Sequence, residues 1–142
     1  MSVYLSAKLR KRLTEADDHR CAYCRTAAAN TGQAMTIDHI LPQAQGGVTA
    51  FENLCYCCRT CNEFKGSQTT ANDPLTGVIV ALYHPRHDIW HEHFEWDESG
   101  TLIVGRSAQG KVTISALNMN HPVIVAARRR WVNVGWHPPE NR

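Results

Sequence analysis

The sequence predicts an α+β fold whose N-terminal half is stapled by cysteines and followed by a small α+β extension. Three observations carry this reading. The cysteines include two Cys-x2-Cys pairs, Cys21/Cys24 and Cys58/Cys61. Apolar residues alternate between helical spacing and short strand-like runs bounded by turn residues. At 142 residues and 43% hydrophobic content, the chain holds enough apolar material for one domain with a real core.

The elements follow in order. Residues 4–16 read as a helix, with Leu5, Leu9 and Leu13 on one face at i, i+4 and i+8. Residues 35–37 are strand-like. Pro42 breaks the backbone two residues after Ile40, and Gly46-Gly47 marks a turn before a second strand-like run at residues 51–56. Asp38 and His39 therefore sit at a strand end, entering a loop. Residues 54–58 run into the second cysteine pair, residues 61–66 start a short helix, and residues 68–73 form a polar connector closed by Pro74. Beyond it, residues 78–83 read as a strand. Residues 93–96 and 101–104 flank Asp97-Glu98-Ser99-Gly100 as a hairpin. Residues 112–117 fit strand or helix, and His121-Pro122 opens a helix through Trp131. We divide the chain into a module at residues 1–74 and an extension at residues 75–142 packed on it as one unit.

Each x2 spacing lets two thiolates converge on one tetrahedral ion, so Cys21, Cys24, Cys58 and Cys61 form the ligand set of a structural zinc. A redox pair or buried free thiols are the alternatives on spacing alone. The 33 residues between Cys24 and Cys58 make an excursion that returns to the metal. Residues 2–12 are basic and lack the apolar stretch of a signal peptide, which points to a reducing, cytoplasmic setting. No run approaches the roughly 18 apolar residues of a membrane span. Cys55 and Cys57 read as small packed hydrophobes.

Net charge is only +2, but it is unevenly spread. Residues 1–33 carry six Lys or Arg against three acids, residues 34–100 three against nine, and residues 101–142 six against one. Basic flanks suit a phosphate backbone, while an acidic middle suits a cation. Arg128, Arg129 and Arg130 are candidate phosphate contacts, although consecutive residues on a helix point different ways.

Taken together, Cys21-x2-Cys24, Asp38-His39-Ile40-x-Pro42, Gly46-Gly47, Asn53-Leu54 and Cys58-x2-Cys61-Asn62-x2-Lys65-Gly66 resemble the HNH endonuclease family over residues 19–67. His84-Pro85-Arg86, His93-Phe94-x-Trp96, Leu117-Asn118 and Arg128-Arg129-Arg130-Trp131 resemble, more weakly, a C-terminal extension of bacterial members. The resemblance implies a ββα-metal, treble-clef-like module on a four-cysteine zinc. It also implies a metal-dependent endonuclease that hydrolyses DNA, leaving 5′-phosphate and 3′-hydroxyl ends, with RNA left open as a substrate. A non-catalytic, zinc-stapled nucleic-acid-binding module or adaptor is the rival function. Nothing in the sequence sets the oligomeric state.

The resemblance assigns roles residue by residue. His39 matches the general base, a task neutral imidazole performs near pH 7. Asp38 matches a ligand of the catalytic cation; neighbours at a strand end project oppositely, so Asp38 faces the metal and His39 the water. Alone, an Asp-His pair would read as a surface turn. Asn53 matches the residue that orients the His loop through hydrogen bonds. Asn62 matches the second metal ligand, and its hard, neutral amide oxygen suits Mg²⁺ or Mn²⁺. Lys65, one turn beyond Asn62, either meets a phosphate or stands solvated. His84, His87, His91 and His93, with Asp88 and Glu92, could form a second metal site, but a turn and a strand explain their spacing better. Trp90, Trp96, Trp131 and Trp136 either stack on bases or pack.

Overall fold

The computed structural model describes residues 5–140, so Tyr4, where the first helix is expected to begin, lies outside the described residues. Its secondary structure is α+β, and the strands form three two-stranded antiparallel ladders. They fall into two units. One runs from the first helix through Thr69 and includes His84–His87; the other takes Thr70–Tyr83 and the chain from Asp88 onward.

In the first unit, Ser6 caps α1 (Ala7–Ala16), its Oγ accepting from the Leu9 amide at 3.0 Å. Of the leucine stripe only Leu13 is fully buried. A single turn, α2 (Ala28–Thr31), ends at Gly32 with φ +67°. Strands β1 (Thr36–His39) and β2 (Leu54–Cys57) pair antiparallel, Thr36 opposite Cys57 and His39 opposite Leu54. The strand expected from residue 51 begins later, because residues Phe51–Asn53 form a 3₁₀ turn. Helix α3 (Arg59–Lys65) follows directly, capped by Cys58. The chain therefore places Asp38 and His39 at the end of β1, beside the helix that carries Cys61, Asn62 and Lys65.

Arg86, although distant in sequence, completes this unit. Its guanidinium makes a fork to Asp17, Nη1 to Oδ1 at 3.0 Å and Nη2 to Oδ2 at 2.6 Å, and its Nε donates to the Leu54 carbonyl at 2.9 Å. Asp17 Oδ2 also accepts from the Tyr56 amide. The end of α1 is thus tied to β2 through a nearly buried charge pair. Removing one partner strands the other charge, which costs about 3–5 kcal/mol. Arg86→Ala is expected to lower stability by that amount in urea denaturation, and Arg86→Lys to restore only part, because an ammonium cannot make the fork.

In the second unit, β3 (Thr70–Asn72) and β4 (Ile79–Ala81) form a hairpin. Its turn is fixed by Asp73 Oδ1, which accepts from the Leu75 and Thr76 amides, and by Gly77 at φ +74°. The expected polar connector at residues 68–73 therefore contains a strand. Its arm is largely exposed and carries no apolar alternation to betray it. A turn of helix, α4 (Trp90–His93), leads into β5 (Phe94–Trp96), which pairs with β6 (Ile103–Gly105) across the expected turn. Residues 112–117, open between strand and helix, lie mostly in α5 (Ala108–Ala116). This helix needs Gly110, since a Cβ there would sit 2.0 Å from the His93 carbonyl oxygen. The last helix, α6 (Pro122–Asn133), starts with His121 as cap and Pro122 in its first turn.

The core of this unit contains Trp90, Phe94, Ile103, Val112, Leu117 and Met119. Arg128 lies among them with no exposed surface, donating to the Thr101 and Met119 carbonyls and to Asn120 Oδ1. The expectation that Arg128 binds phosphate is corrected: its donors are turned to the interior. Arg129 and Arg130 are exposed. Trp90 is core, whereas Trp136 is 61% exposed. Among the described residues, no helix is long and apolar enough to cross a membrane.

Candidate active site

Cys21, Cys24, Cys58 and Cys61 bring their sulfurs within 4.8 Å of one another. Cys24 Sγ and Cys58 Sγ are 3.7 Å apart, too far for a disulfide's ~2.05 Å bond. That separation matches the roughly 3.8 Å edge of a tetrahedron built on ~2.3 Å zinc–sulfur bonds, so the set fits zinc. The Cys61 amide donates to Cys58 Sγ at 3.4 Å, and Thr26 Oγ1 lies 3.2 Å from Cys24 Sγ. Burial opposes ionisation of Cys21, but contacts from Cys24, Cys57, Cys58 and Cys61 outweigh it and hold its thiol well below the ordinary value. Cys61 is pushed up, first by Cys21. One thiolate thus suppresses its neighbour, and a cation is what allows the set to ionise together. Cys55 and Cys57 are buried and free.

Asp38 is 5% exposed and faces the interior from β1. The Tyr23 hydroxyl donates to its Oδ2 at 2.7 Å. Lys65 Nζ lies 3.1 Å from Oδ2 and 3.4 Å from Oδ1, and also donates to the His39 and Ile40 carbonyls at 3.3 and 3.0 Å. Burial pushes the Asp38 carboxyl above its ordinary value, while Lys65 and Tyr23 restrain the rise. Burial above all, with Cys55 and Asp38 adding, raises the Tyr23 phenol well above its usual value, so Tyr23 is the donor. Lys65 is only 1% exposed, which corrects both expectations for it: it is neither solvated nor offered to phosphate, because the His39 and Ile40 carbonyls and Asp38 hold its ammonium inside.

His39 projects the other way and is half-buried, with Nε2 2.9 Å from Thr49 Oγ1. Asn53 binds the loop after β1 on both sides. Its Oδ1 accepts from the Leu41 amide at 2.8 Å, and its Nδ2 donates to the Leu41 and Val48 carbonyls at 3.0 and 2.9 Å. Gly47 permits this closure, since a Cβ would fall 1.7 Å from the Leu41 carbonyl oxygen. Asn62, on α3, is half-buried; its backbone amide donates to the Cys58 carbonyl at 3.1 Å, and its side-chain amide makes no hydrogen bond to another described residue.

The histidine group does not gather. His84 and His87 stack on each other at 3.7 Å, while His93 Nδ1 lies 2.7 Å from Ser107 Oγ. Among the described residues the four cysteines are the only group of three or more His, Cys, Asp or Glu side chains close enough together to share an ion. Sequence reasoning gave no role to Tyr23, Thr49 or Arg86. Tyr23 carried one signal, its place between Cys21 and Cys24.

The HNH endonuclease family model matches residues 21–72. Residues 21–72 belong to the HNH endonuclease family. The HNH segment contains all four clustered cysteines together with Asp38, His39, Asn53, Asn62 and Lys65. Over 121 residues, 84% of its length, the chain is 25% identical to a Septu protein PtuB of Bacillus thuringiensis and covers 44% of that relative. It is 26% identical over 87 residues to a Septu protein PtuA of Bacillus mycoides, covering 54% of this chain and 12% of the relative. It is 37% identical over 75 residues to the CRISPR-associated endonuclease Cas9 of Corynebacterium diphtheriae, covering 48% of this chain and 7% of that protein. The chain thus spans less than half the length of these relatives. No solved structure matches it significantly.

Proposed function

We propose that the chain is a metal-dependent endonuclease that hydrolyses phosphodiester bonds in DNA, built on a ββα-metal module pinned by zinc. The observation that carries this reading is the HNH match over a segment in which His39 leaves the end of β1 half-exposed, its ring tied to Thr49. In the tautomer whose Nε2–H donates to Thr49 Oγ1, which this role requires, Nδ1 keeps its lone pair and takes the proton from the attacking water. Asn53 fixes the loop that carries the base. Asp38 and Asn62 hold Mg²⁺ or Mn²⁺. The donor set fits such an ion: a carboxylate has about four lone-pair sites, more than Tyr23 and Lys65 use, and the Asn62 side-chain amide is not engaged by another described residue. When bound, the cation stabilises charge on the phosphate and the departing 3′ oxygen. Arg129 and Arg130 are the exposed candidates for backbone contact.

The Asp38–Lys65 pair favours the second reading, a non-catalytic adaptor, because an ammonium already neutralises the carboxylate. Supercoiled plasmid separates the two. The nuclease reading predicts nicks with Mg²⁺ or Mn²⁺ and none with EDTA, and DNA ligase should seal them, as 5′-phosphate and 3′-hydroxyl ends require. Intact plasmid under every divalent ion would leave the adaptor.

A further inference from the structure

Both cysteine pairs send a side chain to the same carboxylate. Tyr23 lies between Cys21 and Cys24 and is fully buried, and its hydroxyl meets Asp38 Oδ2 at 2.7 Å. Lys65 lies four residues after Cys61 on α3 and meets both Asp38 oxygens while holding the His39 and Ile40 carbonyls. No other side chain donates to Asp38 among the described residues. The two donors approach from separate elements, so together they fix the position and the rotation of the carboxylate.

We propose that Tyr23 and Lys65 are positioning residues that transmit the geometry of the cysteine frame to Asp38, and so set how tightly the working cation is held. This deepens the nuclease reading and rests on it. The logic is that of groups behind a metal ligand. A hydrogen bond to the ligand limits its rotation, and losing such a partner weakens metal binding or activity by about 10- to 100-fold. Lys65 has a further effect, because it binds the backbone on both sides of the junction between β1 and the His loop. Asp38 and His39 therefore hang from the helix that carries Asn62, which keeps both metal ligands and the base in one rigid frame.

The test uses Tyr23→Phe, which keeps the buried ring and removes only the hydroxyl, and Lys65→Met. Each is checked for one zinc per chain and native circular dichroism. Mn²⁺ affinity is then measured without DNA by electron paramagnetic resonance. The expected result is zinc-loaded, folded Tyr23→Phe with Mn²⁺ affinity weakened about 10- to 100-fold, and nicking that returns as Mn²⁺ is raised. Added Mn²⁺ should not rescue His39→Ala. Folded, zinc-loaded Tyr23→Phe that binds Mn²⁺ like the wild type would overturn the proposal; so would Lys65→Met that keeps its zinc and wild-type affinity. If Lys65→Met loses zinc, Tyr23→Phe alone decides. A wild type that neither binds Mn²⁺ nor nicks DNA overturns the proposal together with the nuclease reading, whereas an active wild type beside an unaffected Tyr23→Phe overturns the positioning role alone.

Discussion

Stripping the metal from Cys21, Cys24, Cys58 and Cys61 is expected to unfold the N-terminal unit. Its apolar core is small, centred on Leu13, Tyr23, Ile40, Leu54 and buried cysteines. Structural zinc contributes about 10–16 kcal/mol of apparent free energy in small zinc-folded peptides. A whole domain is stable by about 5–15 kcal/mol, so losing the ion outweighs the remaining contacts. Without it, four buried thiols within 4.8 Å of one another cannot ionise together, and the knuckles lose their common centre. Elemental analysis should find one zinc per chain, and chelation should lower the helical circular dichroism and abolish the part of the melt that belongs to the N-terminal unit, while the helices of the second unit keep theirs. Native protein without zinc, or an unchanged melt after chelation, would refute this.

His39→Ala should separate chemistry from folding. Loss of a positioned general base slows a reaction about 10²- to 10⁴-fold, roughly 3–5 kcal/mol of barrier. The imidazole is half-buried and makes one hydrogen bond, to Thr49 Oγ1, whose loss costs only about 1 kcal/mol of stability. The variant should therefore melt near the wild type and keep its zinc while its initial plasmid-nicking rate collapses. Equal rates at equal zinc content would remove His39 from the chemistry.

The local part of this site was legible because its geometry is short-range. Two residues between cysteines dictate convergence, and a strand end dictates that Asp38 and His39 point apart. What stayed hidden depends on tertiary placement. Lys65 followed the motif, yet sequence could not show that the His39 and Ile40 carbonyls receive its ammonium. Arg86 meets Asp17 across 69 residues of sequence, a pairing no local pattern encodes. Arg128, Arg129 and Arg130 look alike in the chain, but the position of α6 against Thr101, Met119 and Asn120 turns the first inward. Strand β3 escaped because an exposed hairpin arm needs no apolar face.

On the proposed function two ions would divide the labour: zinc would hold the frame through cysteines, and a hard cation would work between Asp38 and Asn62. Anomalous diffraction from Mn²⁺-soaked crystals, collected at the zinc and manganese edges, tests it directly. Zinc is expected on the four sulfurs and manganese against the oxygens of Asp38 and Asn62. Manganese on the thiolates, or bound away from both Asp38 and Asn62, would contradict it.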